Sequence, residues 1–89
     1  MNMLRLAYIE ALIITEDSLN ATDIMRFFGI KRAAASRDIR HYKDNYPGNI
    51  EYCTTTKRYR TCKTFEAKVL QESAYDFLAK LKPLEYYFQ

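Results

Sequence analysis

Apolar residues recur at helical spacing in four stretches of this chain and alternate in a fifth. In the first stretch Leu4, Ala7, Tyr8, Ala11 and Leu12 form one stripe, and Leu6, Ile9 and Ile13 form a second. A helix apolar on nearly all sides has to be covered on more than one side. Next, Asn20 is placed as an N-cap with Asp23 three residues on, and Ile24, Phe27 and Phe28 give a short helix its apolar stripe. Gly29 falls where the chain must leave that helix, a position suited to left-handed backbone. Ile30 plugs the corner. In the helix that follows, Ala35, Ile39 and Tyr42 repeat at i, i+4, i+7 and face inward. Arg32, Ala33, Ser36, Arg37, Arg40 and Lys43 fall largely on the other side.

After the turn signal Pro47-Gly48, two short runs rich in Tyr, Thr and Ile flank a polar centre between Asn49 and Lys63, as in a β-hairpin. Pairing Tyr52 with Tyr59 makes Thr54 to Lys57 the loop and puts both rings on one face. Glu51, Cys53, Arg58 and Arg60 then share the other. No Asn-Gly or Asp-Gly fixes the turn, so the register stays open. Further on, Ala67, Leu70, Ala74, Phe77, Leu78 and Leu81 trace a last helical stripe that Pro83 should end. The tail Leu84–Gln89 carries four large apolar side chains and is expected to pack on its own core or on a partner. The predicted fold is mainly α with a small β-hairpin, a winged helix-turn-helix whose wing is the hairpin. Residues 1–65 form that unit; residues 66–89 form a C-terminal helix and an apolar tail serving as a dimerisation segment.

Charge sharpens this picture. The whole chain is only +3. From Arg26 to Lys63, however, ten Lys/Arg stand against three acids, a balance of +7, while the other residues hold four against eight, a balance of −4. Positive charge concentrated on the second helix of the motif and on the hairpin is the footprint of a phosphate-binding face. Arg32 and Arg37 are the expected contacts to base edges, with Ala33 and Ser36 small enough to let the helix sit close. Lys31, Arg40 and Lys43 are expected at phosphates, and Lys57, Arg58 and Arg60 on the wing. The expected partner is double-stranded DNA with an inverted-repeat operator, bound by a homodimer. Leu6, Ile9, Ile13, Phe77, Leu78, Leu81, Tyr86, Tyr87 and Phe88 are expected to build the two-fold interface.

Other classes fit less well. The single His41 lies on a helix explained by other residues, Ser36 and the two Cys have no visible base partner, and no Gly-rich phosphate loop exists. An enzyme is not expected, nor a cofactor. Cys53, Cys62 and His41 are too few, and wrongly spaced, for a zinc site. The apolar stretch within Leu4–Thr15 is broken by Arg5 and Glu10 and is too short to cross a bilayer. It is followed by no cleavage pattern, so no membrane and a cytoplasmic, nucleoid-associated location are expected, with both thiols free. The rival to a DNA-binding repressor is a protein-interaction module on the same scaffold, such as a phage-encoded inhibitor of a host protein. An occluded recognition helix or a dispensable basic patch would favour it.

The segments Arg5-Leu-Ala-Tyr-Ile-Glu10, Phe28-Gly-Ile30, Ala33-Ala-Ala-Ser-Arg-Asp-Ile39, Tyr42, Pro47, Asn49-Ile-Glu-Tyr52, Lys57-Arg-Tyr59 and Phe65 carry a resemblance. Together they resemble the N-terminal winged helix of WYL-domain transcriptional regulators, above all the group controlling bacterial anti-phage loci such as BREX and CBASS. The Ser-Arg-Asp-Ile run is also similar to the recognition helix of DeoR-type repressors. The resemblance covers Leu4 to Leu81 and implies a dimeric, autoregulatory repressor of bacterial or phage origin. Those regulators continue into a WYL ligand-sensing domain, whereas this sequence stops at Gln89. A free-standing minimal repressor of a phage or mobile element and an excised fragment both account for that, and ligand sensing is not carried over.

Overall fold

Asn2 opens the first helix, its side-chain oxygen accepting from the N–H groups of Leu4 and Arg5 at 2.9 and 3.2 Å. In the computed structural model, which describes residues 2–89, this helix α1 runs Met3–Glu16 and ends at Asp17 in left-handed backbone. The order continues with β1 (Ser18–Leu19), α2 (Ala21–Phe28), α3 (Arg32–Asn45), β2 (Ile50–Cys53), β3 (Arg58–Thr61) and α4 (Ala74–Leu81). A 3-10 turn over Lys82–Leu84 leads into α5 (Glu85–Phe88). The strands make one antiparallel sheet in the order β1-β3-β2. Tyr52 pairs with Tyr59, as the alternation suggested, with the rings 5.1 Å apart. The third strand, β1, was not foreseen, because two residues are too few to show alternation.

Helix α1 is the centre of the core. The α2–α3 pair packs on one side of it and α4 on another. As a result Leu6, Ile9 and Ile13 are buried within a single chain, together with Leu19, Ile24, Ile39, Tyr42, Ile50 and Leu81. This corrects the expectation that the Leu6, Ile9, Ile13 stripe and Leu81 lie at a two-fold interface: the C-terminal segment folds back and covers them. Phe77, Leu78 and Phe88 also pack, half-buried, against this core. Of the nine residues expected at the interface, only Tyr86 and Tyr87 stand out in solvent, 82% and 77% exposed.

The last helix is shorter than its apolar spacing suggested, and Ala67 and Leu70 lie outside it. Glu10 supplies the reason. It is fully buried on α1, and its carboxylate accepts from the backbone N–H groups of Lys68, Val69 and Leu70 at 3.0, 3.0 and 2.8 Å. A segment whose successive N–H groups converge on one carboxylate is not using them along a helix axis. Asn49 holds the same segment from the other side, donating to the Glu66 carbonyl at 2.8 Å and accepting from the Glu66 N–H at 3.0 Å. Helix α4 then starts at Ser73, whose hydroxyl accepts from the Asp76 N–H. Pro83 does end the α-helical hydrogen bonding, yet the chain keeps right-handed backbone and carries on into α5. The tail divides: Phe88 packs at 5.0 Å from Phe28, while Tyr86 and Tyr87 stack edge to face on the outside.

Candidate nucleic-acid interface

The turn between α2 and α3 is built from both ends. Asn20 and Asp23 form a reciprocal capping box, the Asn20 oxygen accepting from Asp23 N–H at 3.3 Å and the Asp23 carboxylate from Asn20 N–H at 2.9 Å. Gly29 closes α2 at φ 64°, and a Cβ there would overlap the Phe88 carbonyl oxygen. Glycine is therefore demanded twice, by its backbone and by the tail lying against it. The Gln89 side chain donates to the carbonyls of Arg26 and Phe27 at 2.6 and 2.8 Å, capping the end of α2.

Helix α3 is fixed on its inner face and bare on its outer one. Ala35, Ile39 and Tyr42 are buried, and Asp38 turns inward to an ion pair with Arg5 on α1. The Tyr42 hydroxyl donates to Glu10 at 2.7 Å and accepts from the Asn49 side chain at 3.0 Å. Burial first, and then the hydrogen bond to Glu10, push the Tyr42 phenol well above its ordinary pKa. On the outer face Arg32, Ala33, Arg37, Arg40 and Lys43 are exposed and Ser36 is half-exposed, with Lys31 exposed just before the first turn. Asp44, in the last turn, is the one exposed acid of the helix. Among the described residues none of these cations has an ion-pair partner; Arg32 only grazes the Thr22 hydroxyl at 3.5 Å. No side chain caps the N-terminus of α3.

The hairpin differs. Arg58 turns back from β3, donating to Asp23 on α2 at 2.9 Å and to the Ser18 hydroxyl of β1 at 3.0 Å. Arg60 pairs with Glu51 across the strands at 2.7 Å. Two of the three cations assigned to the wing are thus engaged within the chain. Expected at the wing for DNA, each meets a carboxylate within the chain, because cross-strand and strand-to-helix acids lie within reach once β3 sits between β1 and β2. Lys57 remains at the loop, exposed and in left-handed backbone at φ 58°. Beside it the Thr56 hydroxyl, then the N–H groups of Thr56 and Thr55, pull the Cys53 thiol down to about 7. Burial and the Glu51 carboxylate push the Cys62 thiol up. Both cysteines are free.

Three residues that position this surface were not picked out from sequence as such: Glu10, Asn49 and Arg5. A lone acid inside an otherwise apolar helix was the available signal for Glu10. Among the described residues no helix is long and apolar enough to cross a membrane, and no group of three or more His, Cys, Asp or Glu side chains is placed to hold a metal ion.

The sequence matches the family model of the BrxR transcriptional regulator winged helix-turn-helix domain over residues 2–83. It is also 30% identical over 77 residues to the DNA-binding transcriptional repressor CapW of Escherichia coli strain KTE188, and equally to a second Escherichia coli CapW. Each match covers 86% of this chain and 26% of the relative. The chain spans about a quarter of the length of these curated relatives.

Proposed function

This chain belongs to the family of BrxR transcriptional regulator winged helix-turn-helix domains, and from that premise we propose that it is a sequence-specific, operator-binding repressor. The observation that carries the reading is the outer face of α3, where Arg32, Arg37, Arg40 and Lys43 stand exposed and unpaired among the described residues while Asp38 is turned inward. Arg37 and Arg32 read base edges in the major groove, with Ala33 and Ser36 allowing close approach. Lys31, Arg40 and Lys43 hold phosphates at the flanks of that helix. Lys57 at the wing tip adds one further backbone contact. The similarity to CapW, a DNA-binding transcriptional repressor, supports repression here.

We further propose that the protein works as a homodimer on an inverted repeat, autoregulating its own gene at a phage, mobile-element or defence locus. With Leu6, Ile9 and Ile13 buried, the apolar side chains left for a second copy include Tyr86 and Tyr87 with Tyr75 and Leu84 on the C-terminal segment, and Met3, Leu4 and Ile14 on α1. Two recognition helices would then face successive major grooves about 34–36 Å apart. Fluorescence anisotropy tests the reading, on a promoter fragment from upstream of the gene that contains an inverted repeat and on a scrambled fragment of equal length. Tighter binding to the promoter, lost on scrambling, is expected; equal affinity for both would overturn sequence-specific repression. Sedimentation equilibrium tests assembly, since a single species at the 10.6 kDa chain mass would remove the dimer.

A further inference from the structure

A cleft of about 480 Å³ opens between α1, α2, the β1–β3 edge and the C-terminal segment, and no residue of α3 lines it. Its floor is apolar: Tyr8, Leu12, Phe27 and Leu78. Tyr8 is only 8% exposed and lines the cleft; its hydroxyl is not among the buried polar atoms left without a partner, so it opens onto the cleft as a free donor among the described residues. Burial, and after it the charges of Asp23 and Glu85, push this phenol up to about 12, so it stays a donor at any physiological pH. The side chains whose charge it feels, Asp23, Glu85, Arg26 and Glu16, all line the same cleft.

The rim selects the ligand class. Arg58 and Asp23 neutralise each other. Glu16, beside Ser18 at the wing root, has no ion-pair partner among the described residues, and at the tail end Arg26 and Lys82 outnumber Glu85. One end is therefore negative and the other net positive. With Asp23 and Arg58 cancelling, Glu16 and Glu85 balance Arg26 and Lys82, so a zwitterion with an apolar body is favoured over a polyanion. Length narrows it further. Tyr8, Leu12 and Glu16 lie on one helix face at i, i+4, i+8, a span of about 12 Å at 1.5 Å per residue. The two charges of a single amino acid are too close together for that span, whereas an extended tripeptide covers about 10 Å.

We propose that this cleft binds a short peptide with free ends and apolar side chains. Its ammonium lies at Glu16, its carboxylate at Arg26 and Lys82, and one of its carbonyls accepts from the Tyr8 hydroxyl. The site does not depend on the DNA-binding reading. It is tested on the full chain by following ¹⁵N–¹H NMR spectra while titrating Ala-Leu-Ala with free termini, its N-acetylated form and its C-terminal amide. Saturable shifts confined to the cleft are expected, with either blocked end weakening binding about tenfold, the loss of one charge-assisted contact. Tyr8→Phe should weaken all three peptides, whereas Glu16→Gln should weaken the free tripeptide and leave the N-acetylated one unchanged; the same spectra report that each variant is folded. Absence of saturable shifts at millimolar tripeptide, or blocked peptides binding as well as the free one, would overturn the proposal.

Discussion

The recognition helix and the wing carry the same kind of side chain and use it in opposite ways. On α3 the cations point outward with no acid to hold them among the described residues, and the one mid-helix carboxylate, Asp38, is claimed by Arg5. On the hairpin Arg58 and Arg60 are held by Asp23 and Glu51, which leaves Lys57 to meet a partner. An unpaired cation can give its full attraction to a phosphate or base, whereas a paired one must first break an interaction of its own. The basic face is therefore uneven: on the proposed function α3 is the reading surface, and Arg58 ties β3 to α2.

The largest effect should come from removing what holds α3 in place. Glu10→Ala leaves the N–H groups of Lys68, Val69 and Leu70 and the Tyr42 hydroxyl without their acceptor. Urea unfolding should show a loss of about 3–5 kcal/mol, as several buried donors lose their acceptor at about 1–3 kcal/mol each, partly offset by relaxation. A variant as stable as the parent would mean that α3 is fixed by packing alone.

Next comes the reading face itself. Arg37→Ala should lose about 1–3 kcal/mol of binding on the operator and relax base preference at one position per half-site. Lys43→Ala should weaken operator and scrambled DNA alike. If Arg37→Ala binds the operator as tightly as the parent, base reading lies elsewhere on α3.

The wing separates the two regions most sharply. Lys57→Ala should make the slope of log affinity against log salt shallower by about 0.9 per protomer, the share of one phosphate. Arg58→Ala should leave that slope unchanged and instead lower stability by about 0.5–1 kcal/mol, as for a half-exposed ion pair. A slope change as large for Arg58 as for Lys57 would show that DNA draws Arg58 away from Asp23, and the reading of Arg58 as a tie would fail.

The smallest effect is chemical. With its thiol pulled down to about 7 by the Thr56 hydroxyl, Cys53 is substantially thiolate at neutral pH, and Cys62, pushed up, is not. Iodoacetamide at pH 7 should label Cys53 first, with a rate that rises through about pH 7 and then levels off. Equal labelling of both cysteines would mean that the Thr54–Lys57 loop does not hold Thr56 against the sulfur.

What the sequence determined by itself was local. The Asn20 N-cap with Asp23 three residues on, the Gly29 turn and the inward Ala35, Ile39 and Tyr42 depend on neighbours in the chain, and the Tyr52–Tyr59 pairing, one register among those the turn left open, depends on two adjacent strands. The concentration of charge between Arg26 and Lys63 needed only counting. What tertiary structure decided were partnerships across long separations. Glu10 reaches Lys68, Val69 and Leu70, Arg58 reaches Asp23, and Arg5 reaches Asp38. Those contacts ended the apolar stripe at Ala67 and Leu70 as a helix and turned Arg58 from the wing toward α2, and the folding back of the C-terminal segment put Leu6, Ile9 and Ile13 inside one chain. Periodicity says which face of a helix is apolar. It does not say what covers that face, because the covering segment is chosen by how the whole chain closes on itself.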